Sequence, residues 1–184
     1  MTTAMQKLIT AEEFARMPNP PDGSRQELVQ GVIITMPPPG ARHGACCSRI
    51  NRRLANHVED NNLGTVFAND TGFLLEREPD TVRGLDLSFW SRERLPEVPT
   101  GYIDVPPDLA VEVVSPGDFY ARVQRKVNQY LDKGVRLIWV VDPEDRSVTV
   151  LRAGEKAKVL SENETLTGED VLPGFRCRVG DLFA

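Results

Sequence analysis

The chain has 184 residues, 40% of them apolar and 27% charged, which is ordinary for a soluble globular protein and long enough for one domain, residues 1 to 184, with a real core. Its net charge of −5 argues against a protein whose main task is to coat nucleic acid, because phosphate binding leaves a basic footprint. No stretch approaches the ~20 apolar residues of a membrane span, and the opening MTTAMQKLITAEEF lacks the apolar core of a secretory leader, so a cytoplasmic protein is expected.

Along the chain, Thr10 followed by Glu13 fits a capping box and predicts a short helix in TAEEFARM, ended by the Pro and Gly of PNPPDG. RQELVQGVIITM predicts two strands around Gln30-Gly31, and the prolines after it stop pairing. From Arg42 to Asn61 the spacing of Cys46, Ile50, Leu54 and Val58 is helical. GTVFANDTGFLLE and LDLSFW read as strands, and residues 92 to 107, with Pro96, Pro99, Pro106 and Pro107, read as a loop. AVEVV predicts a strand, PGDFYARVQRKVNQYLDKG a helix closed by Gly134, and VRLIWVVDP a buried strand. PEDR is a turn into a hairpin partner, SVTVLR, and GFRCRVGDLF predicts a short final strand. The strand–helix–strand unit from AVEVV to RLIWVV predicts a right-handed crossover with parallel strands, so the class is α/β or α+β with a mixed sheet.

Cys46, Cys47 and Cys177 have no metal-site spacing and cannot all pair, which suits reduced thiols. Charge is uneven. Arg42, Arg49, Arg52 and Arg53 outnumber Glu59 and Asp60 in one segment, and Arg122, Arg125, Lys126 and Lys133 outnumber Asp118 and Asp132 in another. The two basic segments either line one cleft or form solvated helix faces.

Two acids stand where acids are rare. Glu112 lies inside the apolar run from Leu109 to Val114, and Asp86 lies between Leu85 and Leu87. A buried carboxylate without a partner costs several kcal/mol or more, so each faces a cleft or a cation, or else lies on an edge strand pointing to water. Converging from neighbouring strands, they would form a hard-oxygen site of the kind that holds Mg²⁺ or Mn²⁺. On the following helix Lys126 falls at the edge of the apolar stripe of Tyr120, Val123, Val127, Tyr130 and Leu131. From there it can aim its ammonium at Glu112, or snorkel from the helix flank to water.

The order of Asp86, Glu112 and a lysine on the next helix resembles the PD-(D/E)XK nuclease superfamily. In many members the lysine stands two residues after the glutamate, a place held here by Val114. The closer resemblance is to the Uma-two family of restriction-endonuclease-like proteins. It rests on TAEEF, QELVQG, MPPPGARHG, LDLSFWSRERL, PPDLAVEVVSP, KVNQYLDKGV, IWVVDPE and LPGF, and covers nearly the whole chain. The resemblance implies a restriction-endonuclease-like core, a mixed sheet flanked by helices with hairpin additions. It implies Asp86 and Glu112 as metal-binding acids, Lys126 as the catalytic lysine, Glu27 as an acid joining the site from the first strand, and His43 facing the cleft. Tyr130, one turn beyond Lys126, is expected to pack against or orient it. Leu85, Val32 and Arg122 depart from the family pattern, standing where a proline, a second glutamate and an aspartate are common.

These parts imply an Mg²⁺- or Mn²⁺-dependent endonuclease for DNA, with Arg42, Arg49, Arg52 and Arg53 as candidates for backbone contacts. Cutting both strands of a duplex favours a homodimer or higher homo-oligomer. Nothing in the sequence resembles a base-reading element. Two other readings share the scaffold: a catalytically silent interaction module, and a hydrolase for a small phosphoester.

Overall fold

Local signals in the sequence set the first elements of the computed structural model, which describes residues 7–115 and 120–183. Helix α1, Ala11–Ala15, opens on the expected capping box: Thr10 Oγ1 accepts from the Glu13 N–H at 3.1 Å, and the Glu13 carboxylate accepts from the Thr10 N–H at 3.0 Å. Strands β1, Arg25–Val29, and β2, Val32–Met36, form an antiparallel hairpin. Its turn needs positive φ at both central residues, and Gln30 (φ 49°) and Gly31 (φ 74°) provide it. Helix α2, Ala41–Asp60, buries the expected stripe of Cys46, Ile50, Leu54 and Val58, and buries His43 as well.

Strands β3, Gly64–Glu76, and β4, Thr81–Ser91, form a long antiparallel ribbon. Strand β4 begins at Thr81, four residues before LDLSFW, and Thr81, Val82 and Arg83 are buried there as well. Strand β5, Leu109–Val113, is followed by helix α3, Tyr120–Asp132, and by β6, Leu137–Asp142, parallel to β5 as expected. The first residues of the predicted crossover helix, 116 to 119, lie outside the described residues. Strand β7, Ser147–Leu151, pairs antiparallel with β6. Three further strands follow: β8, Lys158–Leu160, on the edge beyond β7, then β9, Thr165–Gly168, paired with β10, Leu172–Arg178. The sequence predicts only the last of these, since three or four residues are too few to display a period of two.

The main sheet runs β2-β1-β4-β5-β6-β7-β8, with β3 also on β4, so the class is a mixed α+β sheet flanked by helices. Alternation along β5 and β6 sorts the two faces. Leu109, Val111, Val113, Leu137, Trp139 and Val141 pack with α2, while Ala110 and Ile138 pack with Val127 and Tyr130 of α3. Helices α2 and α3 thus lie on opposite faces of the sheet, and their two basic segments do not line one cleft.

Candidate active site

The site forms where β4 is shared between two neighbours. Strand β1 meets β4 at Leu28 and Val82, and β5 meets it from Leu87–Val111 to Phe89–Leu109. Residues 83 to 86 lie between these ladders, and side chains from β1, β5 and α3 converge on them. Opposite the same stretch β3 bulges: the register shifts between Ala68 and Thr71, with Asn69 (φ 63°) and Asp70 (φ 55°) in the left-handed region. A bulge locally changes strand twist. Here Leu87 packs on the α2 side and Leu85 on the α3 side, so Asp86 sits where the alternation changes phase.

This position lets Asp86 reach across the sheet. Its Oδ2 accepts from the Val113 N–H at 2.8 Å, a side chain capping the end of the β4–β5 ladder. The same oxygen lies 3.1 Å from His43 Nε2 on α2, and Oδ1 lies 3.2 Å from the Arg25 guanidinium on β1. Burial would push the Asp86 carboxyl up, but the His43 hydrogen bond and charge and the Val113 N–H together hold it below its ordinary value. His43 is the reciprocal case: burial disfavours its charged form, and the Asp86 hydrogen bond and charge outweigh burial and raise its pKa.

Glu112 has the cation expected for it. Lys126 Nζ lies 3.2 Å from Glu112 Oε2 and 3.0 Å from Glu27 Oε1, so the ammonium is clamped between β5 and β1. Burial would lower Lys126, but Glu112 and Glu27 raise it above its ordinary value and keep it charged. Tyr130, one turn along α3, donates its hydroxyl to Glu112 Oε1 at 2.7 Å, so its role is to orient the glutamate as well as to pack. Glu27 also accepts from Arg83 at 2.7 Å and from the Gly84 N–H at 3.3 Å, and Arg83 donates onward to Gln129 of α3 at 2.7 Å. Burial pushes Glu27 up, but Lys126 and Arg83 outweigh it and bring its pKa below the ordinary range. Glu112 stands apart: burial drives it up to about 7, with Lys126 pulling down and Asp86 and Glu27 pushing further up.

Asp86, Glu112, Lys126 and Glu27 line one cleft together with Arg25 and Asp70. Arg25 and Asp70 are additions to the sequence reading. Arg25 bridges Asp70, at 2.8 Å, and Asp86. Burial raises the Asp70 carboxyl despite that guanidinium. The one signal for Asp70 was a pair of turn-forming residues, Asn-Asp, inside a strand-like run. Cys47, one helical turn after His43, is a further addition, with Sγ 3.5 Å from His43 Nδ1. A side chain at Gly84 would bring its Cβ within 3.1 Å of the Asp70 Cβ, so this glycine lets β3 approach the site.

The arginines of α2 lie elsewhere. Arg42 and Arg49 line a separate pocket with Glu144, Arg146 and Phe183. Arg53 pairs with Asp181, and Arg52 is exposed. Arg122 of α3, in contrast, lines the cleft beside Lys126.

A family model described as "Uma2: Putative restriction endonuclease" matches residues 11–180, and the chain belongs to that family. A solved structure described as a "putative nuclease belonging to DUF820" from Anabaena variabilis ATCC 29413 is similar with a TM-score of 0.80, at 23% identity over 95% of this chain and 97% of that one. At that identity the likeness shows the fold. No curated protein matches the chain.

Proposed function

We propose that this member of the Uma2 family is a divalent-metal-dependent endonuclease of the PD-(D/E)XK type that hydrolyses phosphodiester bonds of DNA and acts as a homodimer. Family membership supports a nuclease. The observation that carries the finer reading is the meeting of Asp86, Glu112 and Lys126 in one cleft at the gap between β1 and β5. The donor set fits Mg²⁺ or Mn²⁺: Asp86, Glu112 and Asp70 offer carboxylate oxygens. Burial above all drives Glu112 up to about 7, with Asp86 and Glu27 adding to it against Lys126, and a divalent cation at the cleft would favour its charged form.

When bound, such an ion polarises a phosphate and lowers the pKa of water at the site. The chain's own residues do the rest. Lys126 holds a permanent positive charge at the cleft and stabilises the negative charge that grows on the phosphate as water attacks. Glu27 and Glu112 fix the lysine between them, and Tyr130 fixes Glu112. His43 holds the Asp86 carboxylate in place. Arg25 and Arg122, at the rim of the same cleft, are the cations nearest a phosphate backbone entering it.

The test is cleavage of supercoiled plasmid with Mg²⁺ or Mn²⁺, alongside metal titration by calorimetry. Lys126→Met is expected to keep metal binding and to lose about 10²–10³ in rate, the usual cost of removing one transition-state donor. Asp86→Ala is expected to lose both. Folded wild-type protein that binds no metal, with or without an oligonucleotide, and leaves duplex, single-stranded DNA and RNA intact would replace this reading with the interaction module. A preference for small phosphoesters over polymer would replace it with the third reading.

A further inference from the structure

We infer that His43, Cys47 and Asp86 form a second metal site, selective for a thiophilic divalent ion such as Zn²⁺, and that filling it withdraws Asp86 from the hydrolytic site. The inference rests on the reading of Asp86 as a ligand of the hydrolytic metal. His43 and Cys47 stand four residues apart on α2 and so share one face of the helix. One donor atom from each of the three residues lies within 4.8 Å of the other two. Cys47 Sγ lies 3.5 Å from His43 Nδ1 and Asp86 Oδ2 lies 3.1 Å from Nε2, on opposite sides of the ring, so an ion on one nitrogen draws the other partner round to it.

The chemistry of the donors separates this site from the cleft on the other face. Sulfur and imidazole suit Zn²⁺, whereas Mg²⁺ takes oxygen and dehydrates reluctantly. Three protein ligands leave a position for water, as in open zinc sites. An entry path exists, because a cavity on the α2 side is lined by His43, Cys47, Ser48, Asn51, Asp70 and Asp86. Cys46, adjacent in sequence, does not compete: it is 1% exposed and packs in the core beneath α2. Asp86 is common to both sites, with His43 and Cys47 behind it and Glu112 across the cleft, so an ion drawn to the sulfur side competes with one bound between carboxylates. The nuclease would then run on Mg²⁺ and stop when a thiophilic ion is available.

The full-length protein is titrated with Co²⁺, then Zn²⁺, by absorbance, and with Mg²⁺ by calorimetry in the presence and absence of Zn²⁺. Wild type, Cys46→Ser and Glu112→Gln are expected to give a thiolate-to-cobalt charge-transfer band that Zn²⁺ abolishes. Cys47→Ser is expected to lack the band and to bind Zn²⁺ at least about tenfold more weakly, the lower end of what losing even an outer partner of a metal site costs. Circular dichroism verifies that each variant is folded. No band in folded wild type, or a band that survives in Cys47→Ser, overturns the site. Mg²⁺ affinity that is unchanged by stoichiometric Zn²⁺ overturns the withdrawal of Asp86. If no substrate is cleaved under any condition, the nuclease reading fails while the cobalt band still decides this site.

Discussion

Tyr130 and Arg25 make the residue-scale expectations sharpest. The Tyr130 hydroxyl donates to Glu112 Oε1 at 2.7 Å and favours the charged carboxylate. A hydrogen bond to a charged group contributes about 1.5–3 kcal/mol, and one pH unit corresponds to about 1.4 kcal/mol. Tyr130→Phe is therefore expected to move the pH dependence of Mg²⁺ affinity about one to two units toward alkali, measured by calorimetry across pH. Glu112 also couples stability to pH. Its carboxyl is raised from 4.5 to about 7, so between those values the folded chain binds more protons than the unfolded one. The associated stability is present below 4.5 and is lost as pH rises to about 7. Glu112→Gln removes that loss, and urea midpoints at about pH 5 and about pH 8 are expected to differ less than in the wild type. Arg25 holds Asp70 and Asp86 together. Arg25→Met is expected to lower the melting temperature without metal, because two half-compensated acids remain. Added Mg²⁺ is expected to restore the melting temperature, since the ion takes over the missing charge.

At the scale of elements, the bulge in β3 is the device that places the site. Asn69 and Asp70 both take positive φ, which asparagine and aspartate tolerate and β-branched residues do not. Asn69→Val is expected to cost about 1–2 kcal/mol of stability and to weaken Mg²⁺ binding by displacing Asp70; urea unfolding and calorimetry check the two parts. Helix α2 is held differently. Leu54 is fully buried in the core beneath it, and Leu54→Ala is expected to cost about 2–5 kcal/mol in urea unfolding. Elements governed by local rules were legible in the sequence: the capping box of α1, the Gln30-Gly31 hairpin, and the four-residue spacing of α2. Strands β8 and β9 were not, because their few residues gain their pairing from β7 and β10 and carry little periodicity of their own.

The whole molecule combines a charge of −5 with a cleft whose rim carries Arg25 and Arg122. Few phosphate contacts follow from so small a basic rim. The logarithm of DNA affinity is expected to fall with the logarithm of salt with a slope of only about −2 to −4, near −0.9 per contacted phosphate. Fluorescence anisotropy in increasing salt measures this slope. The α+β class, the parallel pairing of β5 with β6 and the family were readable from the sequence, which also marked Asp86, Glu112, Lys126 and Glu27 as candidates; His43, expected to face the same cleft, lines the cavity on the α2 side instead. Those signals are local or stand out by contrast: a carboxylate in an apolar strand is costly enough that its presence alone marks it. Which side chains would share a partner was not readable. That Lys126 bridges Glu27 and Glu112, that Arg25 and Asp70 enter the cleft, and that the arginines of α2 do not, depend on the branching of β4 between β1 and β5, on the bulge opposite Asp86, and on α2 and α3 packing on opposite faces. These are pairings between residues far apart in the chain, and only the tertiary structure sets them, because register and face are decided by what each strand meets across the sheet.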